Sequence, residues 1–238
     1  MKIDYVIVST NDNPLYYEFW DIVKNLWINL IGIKPILVKI GDNDNIIDYG
    51  EFIIHTIKKV DDLDTGFQSQ IARMYVTKFY GDKVCLTSDI DMLPLNKNFF
   101  TKNIEKLNND SLVIFSSDAY KNKKRFPICY NAANGNLFNE ILNLNKSFYD
   151  YAKHLNSLNL GWDTDELYFG EMVHNYYNQN KIIYLNRGWN NGLAINRIDR
   201  FNWKYDSTKV SEGYYIDSHL LRPYSKYSKE INELINLI

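Results

Sequence analysis

Two cysteines in 238 residues are too few for a disulfide framework. Cys85 lies within the apolar run Val84-Cys85-Leu86, so Cys85 and Cys129 are expected as buried, reduced thiols, which favours a reducing, cytoplasmic compartment. No stretch of about 18 apolar residues occurs, and the apolar patch in MKIDYVIVST is too short for a signal sequence. Neither secretion nor a transmembrane segment is therefore expected. Charge of one sign is missing as well: 27 Lys and Arg stand against 29 Asp and Glu, which leaves no broad basic field for nucleic acid or a membrane surface. An anionic ligand would have to be met by a local site. With only 11 Gly and 5 Pro, no flexible linker or low-complexity tract divides the chain, and no internal repeat is visible. One domain spanning residues 1–238 is expected.

What is abundant is Asn, Ile, Lys and Tyr, with 19 Tyr, a bias that fits an AT-rich genome, including large DNA viruses acting in a host cell and some bacteria. Tyr5-Val6-Ile7-Val8 followed by Ser9-Thr10-Asn11-Asp12-Asn13-Pro14 reads as a buried strand ending in a loop. Tyr16, Phe19, Trp20, Val23, Leu26, Trp27 and Leu30 recur at helical spacing, and Lys34 to Ile40 reads as a second strand. This β-α-β beginning predicts an α/β fold, with a mostly parallel sheet flanked by helices. Further strands are expected at 52–57, 83–88, 111–116 and 181–185. Helices are expected at 65–80, 137–144, 164–177 and 225–238. Residues 1–120 read as a nucleotide-binding half and 121–238 as the far wall of a cleft. Loops at 118–127 and 189–203 are expected to set specificity.

The informative stretch is KVCLTSDIDMLPL, residues 83–95, where an apolar strand runs into Asp89 and Asp91. In an open α/β sheet, ligands bind beyond the carboxyl ends of the strands. A one-residue gap in extended chain would point both carboxylates the same way. Two such groups repel unless a cation lies between them, and Mg²⁺ or Mn²⁺ accepts oxygen ligands while keeping positions open for phosphate. An ordinary acidic turn, or a helix cap, has the same local sequence. Arg73 lies sixteen residues before Asp89 on the polar stripe of its helix and can present a forked guanidinium to phosphate or sugar, or form an ordinary ion pair. Thr10 and Asn11 offer groups for ribose and base, or simply close a turn. Asp163, Asp165 and Glu166 follow Gly161-Trp162 and read either as sugar ligands or as the acidic first turn of a helix capped by Asp163 or Thr164. Of Trp162, Tyr168, Trp189 and Trp203, three are expected in the core and one as a sugar-stacking platform. His55, His154 and His174 stand outside any such motif.

The segment from Arg73 to Leu95 resembles the centre of metal-dependent glycosyltransferases of the GT-A fold, in particular the glycogenin and bacterial galactosyltransferase group. Val8-Ser9-Thr10-Asn11-Asp12 is similar to that group's nucleotide-holding first loop, and Tyr130-Asn131-Ala132-Ala133-Asn134-Gly135 to its donor-sugar segment. Asp163-Thr164-Asp165-Glu166-Leu167 is similar to its later acidic segment, and Asp217-Ser218-His219-Leu220-Leu221-Arg222-Pro223-Tyr224 to a shortened histidine motif. The resemblance runs in order over residues 4–224 and extends to compact glycosyltransferases of large DNA viruses. It departs in the shorter histidine motif, which lacks its glycine, and in Thr164, where relatives carry an amide. It implies Asp89, Asp91 and His219 as ligands to Mn²⁺ or Mg²⁺. It places Val8, Ser9, Thr10, Asn11, Arg73, Ser88, Ile90 and Arg222 at a UDP-sugar donor, and Asp163, Asp165 and Asn131 at the reacting sugar. The implied reaction is sugar transfer, with retention, to a glycan or glycoprotein acceptor. A sugar-phosphate nucleotidyltransferase and an inactive sugar-nucleotide-binding module are the alternatives. The glycine-rich loop usual in the former is replaced by Ser9-Thr10-Asn11-Asp12-Asn13-Pro14.

Overall fold

A computed structural model describes residues 1–122, 124–190 and 193–238. Lys123 of the first expected specificity loop, and Asn191 and Gly192 of the second, lie outside the described residues. Tyr5–Thr10 (β1), Lys34–Gly41 (β2), Asn45–Asp48 (β3), Ile53–Lys58 (β4) and Val84–Thr87 (β5) form one half of an eight-stranded sheet. Leu112–Ile114 (β7), Asn131–Asn134 (β8) and Ile182–Tyr184 (β9) form the other, in the order β3-β4-β2-β1-β5-β8-β7-β9. β4, β2, β1 and β5 are parallel, as expected. β3 and β8 run antiparallel to their neighbours and make the sheet mixed. β3 pairs with β4 through four residues that are all exposed, so it carries no burial alternation by which its sequence could announce a strand.

Alternation along the central strands divides the core. Ile7, Ile36 and Val38 face one side, with Ile71, Met74, Phe138, Tyr151 and Phe169. Val6, Val8 and Leu37 face the other, with Phe19, Trp27, Phe100 and Leu234. The expected long helix after β1 is broken into Pro14–Tyr17 (α1), Trp20–Leu26 (α2) and a π turn at Trp27–Ile31. Of its expected apolar positions, Phe19, Trp20, Val23 and Trp27 are buried, and Tyr16, Leu26 and Leu30 are half-buried against the same core. Thr65–Tyr75 (α3) ends in a 3₁₀ turn, Val76–Tyr80, and is anchored at its start by Asp64, whose carboxylate accepts the Phe67 N–H at 2.8 Å. Lys97–Thr101 (α4), Gly135–Leu142 (α5), Phe148–Ser157 (α6) and Thr164–Asn175 (α7) complete the flanking layers, with Ser207–Ser211 (α8) and Tyr224–Ile235 (α9).

A second, three-stranded sheet matters most for the site. Met92–Pro94 (β6) pairs antiparallel with Asp217–His219 (β13), so Met92 lies opposite His219. Arg197–Ile198 (β12) pairs parallel with β13, while Trp189–Asn190 (β10) and Leu193–Ala194 (β11) form a separate short ribbon. Both cysteines are free and buried, as expected, and burial pushes the Cys129 thiol up to about 12.

His55 on β4 is 5% exposed and lies against Phe79, with Nδ1 3.3 Å from the Tyr80 hydroxyl. Burial, opposed by Asp44, lowers its pKa from 6.5 to about 4. The unfolded chain then takes up this proton first, so the contribution is complete above pH 6.5 and is lost as the pH falls towards 4. Urea unfolding is expected to show about 2 kcal/mol less stability at pH 5 than at pH 7 from this group. His55→Phe should remove that part of the slope, and an unchanged slope would show that His55 is not its source.

Candidate active site

Asp89 and Asp91 lie where β5 ends, in a turn rather than in extended chain: the Met92 N–H donates to the Asp89 carbonyl at 3.2 Å. The turn separates the fates of the two carboxylates. Asp89 is ion-paired with Arg73, and Asp91, 5% exposed, accepts from Arg200 Nη2 at 2.7 Å. Arg73 reaches Asp89 because α3 crosses the sheet with Ile71 and Met74 in the core. Gln68, fully buried and bonded to the Val60 backbone, fixes the start of that helix. The same guanidinium donates to Asp165 at 2.9 Å, so Arg73 ties α3, the β5 turn and α7 together.

The separation of 128 positions from Asp91 to His219 is closed by the β6–β13 pairing and by the Leu220 N–H, which donates to the Asp91 carbonyl at 3.0 Å. His219 Nε2 stands 3.7 Å from the Asp91 carboxylate, and its Nδ1 3.4 Å from Asp199, which follows β12 directly. A carboxylate on Nδ1 leaves Nε2 as the nitrogen available to a ligand. Burial alone would raise the Asp91 carboxyl, but His219, Arg200 and Arg222 outweigh it and hold the group below the ordinary carboxylate range. Arg222 Nη1 lies 3.8 Å from Asp91 and also donates to the Tyr16 hydroxyl.

Behind His219, the fully buried Asp217 is clamped by two arginines. Arg187 binds it through both Nη atoms at 2.6 Å, and Arg197 through Nε and Nη2 at 2.9 Å. Burial opposes ionisation there, but the two guanidiniums prevail and drive the carboxyl far below its usual value.

On the opposite wall, Asp163 and Glu166 converge on Arg125. Asp163 accepts from both Nη atoms at 2.8 Å, and Glu166 also accepts from the Tyr120 hydroxyl at 2.9 Å. Asp163 occupies the cap position of α7 but makes no capping bond; the Thr164 hydroxyl instead donates to the Gly161 carbonyl. Gly170 allows this arrangement, since a Cβ there would meet the Lys124 carbonyl at 2.1 Å and displace the segment carrying Arg125. Burial and Asp165 raise the Glu166 carboxyl despite Arg125 and Tyr120.

These walls enclose a cavity of about 720 Å³ lined by Ser9, Thr10, Asn11, Arg73, Asp89, Ile90, Asp91, Asp163, Asp165, His219 and Arg222, all expected at the site. Tyr16, Gln70, Tyr120, Arg125, Trp162, Glu166 and Arg200 line it too. Three expected residues do not line it. Val8 is buried in the core. Ser88 is buried with its N–H on the Ile7 carbonyl. Asn131 is buried with its amide donating to the Pro127 and Ile128 carbonyls at 2.8 and 3.0 Å. Each belongs to a strand or its immediate end, where the side chain packs into a layer rather than beyond the sheet edge. Of the aromatic set, Tyr168 is buried, Trp189 and Trp203 are partly buried, and Trp162 is 69% exposed on the cavity wall. Arg200, Asp199, Arg125 and Tyr120 are not singled out by sequence reasoning; the only trace is the charge alternation of Arg197-Ile198-Asp199-Arg200 beside a short strand.

Asp89, Asp91 and His219 combine hard oxygens with one imidazole nitrogen, a donor set suited to Mn²⁺ or Mg²⁺. Among the described residues, however, no three His, Cys, Asp or Glu side chains already stand together as a metal site; Asp89 and Asp91 are each paired with an arginine. No helix among the described residues is long and apolar enough to cross a membrane.

No protein-family model matches the chain, and no curated protein matches it. Solved structures do. The galactosyltransferase LgtC in complex with donor and acceptor sugar analogues superposes with a TM-score of 0.52 at 10% identity, over 98% of this chain and 94% of that one. An active-site mutant of LgtC gives 0.54 at 11% identity over the same shares. A glycosyltransferase involved in glycosylation of the major capsid of PBCV-1 gives 0.45 at 9% identity, over 96% and 98%. Over nearly its whole length, the chain has the GT-A fold of LgtC.

Proposed function

We propose that the protein is a glycosyltransferase that moves a sugar from a UDP-sugar to a hydroxyl of a glycan or glycosylated acceptor, with retention of configuration and with Mn²⁺ or Mg²⁺. The observation that carries this is the charge of the cavity. Six carboxylates (Asp64, Asp89, Asp91, Asp163, Asp165 and Glu166) line it against four guanidiniums (Arg73, Arg125, Arg200 and Arg222), so negative charge is already in excess. A diphosphate entering there calls for a divalent cation, and Asp89, Asp91 and His219 would hold it. When bound, the cation would neutralise charge developing on the leaving diphosphate. Arg222 and Arg73 would add fixed positive charge on either side, and Ser9, Thr10 and Asn11 would meet the nucleoside at the end of β1. Trp162 would stack on the acceptor sugar. Retention follows from the motif resemblance to the glycogenin and bacterial galactosyltransferase group, with Asp163 and Asp165, held by Arg125 and Arg73, placed to meet the donor sugar.

Thermal unfolding with UDP tests the reading. At about 100 times its dissociation constant, UDP with Mn²⁺ should add about 3 kcal/mol, raising Tm by about 5–10 °C, and UDP without metal far less. A UDP-sugar should also release UDP slowly without acceptor. Equal shifts with and without Mn²⁺ would sink the metal assignment, and pyrophosphate exchange with a sugar phosphate would make the protein a nucleotidyltransferase.

A further inference from the structure

Arg200 is held in an unusual way. Its side chain is nine-tenths buried, and among the described residues its one hydrogen bond runs from Nη2 to Asp91 Oδ2 at 2.7 Å. Nε and Nη1 are shielded from solvent and find no partner among the described residues. Leaving a charged donor buried and unsatisfied is destabilising, and a chain with no use for the group could avoid that cost with an apolar side chain. Arg222 stands 3.8 Å from the same Asp91 oxygen, so two guanidiniums share one carboxylate and repel each other across it. Arg200 also lines the cavity, on the side of Asp91 and His219.

Resting on the reading of Asp91 as a ligand to a divalent cation, we propose that Arg200 is that cation's stand-in on Asp91 and becomes a ligand of the donor's diphosphate once the cation arrives. The two positive charges compete for Asp91 Oδ2. A cation that takes this oxygen deprives Arg200 of its acceptor among the described residues, and the diphosphate entering with the cation supplies phosphate oxygens in exchange. A charge-assisted bond to phosphate then replaces the one to carboxylate and gives the unpartnered donors an anion to turn towards. Metal and nucleotide are thereby linked: each is accommodated better when the other is present, because neither alone both releases Arg200 and satisfies it. The exchange also keeps the carboxylate pair neutralised while the cleft is empty, so Asp91 is never a bare buried charge.

The linkage predicts effects of opposite sign from one substitution. In Arg200→Gln, Mn²⁺ alone should bind more tightly than in the wild type, measured by the free-ion signal in electron paramagnetic resonance, because nothing competes for Asp91. UDP titrated calorimetrically at saturating Mn²⁺ should bind about 10- to 100-fold more weakly, the loss expected for a charge-assisted hydrogen bond. Arg200→Lys should recover part of the UDP affinity. Misfolding would weaken both affinities together, so the opposed signs separate the proposal from simple damage, and circular dichroism checks the fold of each variant. Mn²⁺-dependent UDP binding that is unchanged in Arg200→Gln would overturn the role of Arg200 while leaving the metal reading standing. UDP binding by the wild type that ignores Mn²⁺ would overturn both.

Discussion

Asparagine in place of Asp91 is expected to abolish the response of UDP binding to Mn²⁺ and to lower sugar transfer by about 10²–10³-fold or more, the scale on which loss of one preorganised electrostatic group acts. The substitution keeps the shape of the side chain and the backbone bond from Leu220, but removes the charge that faces Arg200, Arg222 and His219. Arg200 and Arg222 are then left without that compensation. Residual UDP affinity should therefore persist and be independent of metal, carried by the arginines alone. Calorimetric titration of UDP into the variant, with and without Mn²⁺, measures this directly. A variant that keeps the metal response of the wild type would remove Asp91 from the site.

The second large effect is expected just behind the cavity wall, at Asp217. Removing its carboxylate with Asp217→Ala leaves Arg187, whose side chain is fully buried, and Arg197, nearly so, without their anion. Breaking a buried pair in this way costs about 3–5 kcal/mol. For a domain of this size that should lower Tm by about 6–20 °C. The damage should also reach the site, because Asp217 and His219 share β13 and lie two residues apart on it. Mn²⁺-dependent UDP stabilisation should fall in Asp217→Ala even at temperatures where the variant is folded. Asp217→Leu combined with Arg187→Met should recover Tm in part, since replacing a buried ionic cluster by apolar groups of similar volume is often tolerated. A Tm in Asp217→Ala within about 2 °C of the wild type would contradict the account, given the burial of the cluster.

How much of this was legible in the sequence depended on the range of the interaction. β1, β2, β4 and β5 and the helix carrying Arg73 announce themselves through local periodicity, and Asp89 and Asp91 through their place after an apolar run. His219 entered only by resemblance, because the strands that bring it to Asp91 are three residues each and show no pattern at that length. Arg200, Arg125 and Arg187 were invisible for a further reason. An arginine that will meet a carboxylate across the fold has the same local sequence as one that will face water. Val8, Ser88 and Asn131 show the converse limit. A motif marks a neighbourhood, but in β1 only Ser9 and Thr10, which run on past the end of the pairing with β5, and Asn11 after them reach the cavity.

The antiparallel pairing of β6 with β13 has a consequence for synthesis. A ribosome that has delivered the chain through β9 has already made β1, β2, β5 and both acidic residues of the turn, and the main sheet can close over its local contacts. Asp91 must then wait for the last quarter of the chain before His219 and Arg222 arrive. During that interval the turn is an open anionic edge with Met92, Leu93 and Pro94 lacking their strand partner, the kind of surface that holds chaperones and invites strand exchange. Completion of β13 then seals the edge and brings His219 to Asp91 in a single step, with Arg222 three residues behind.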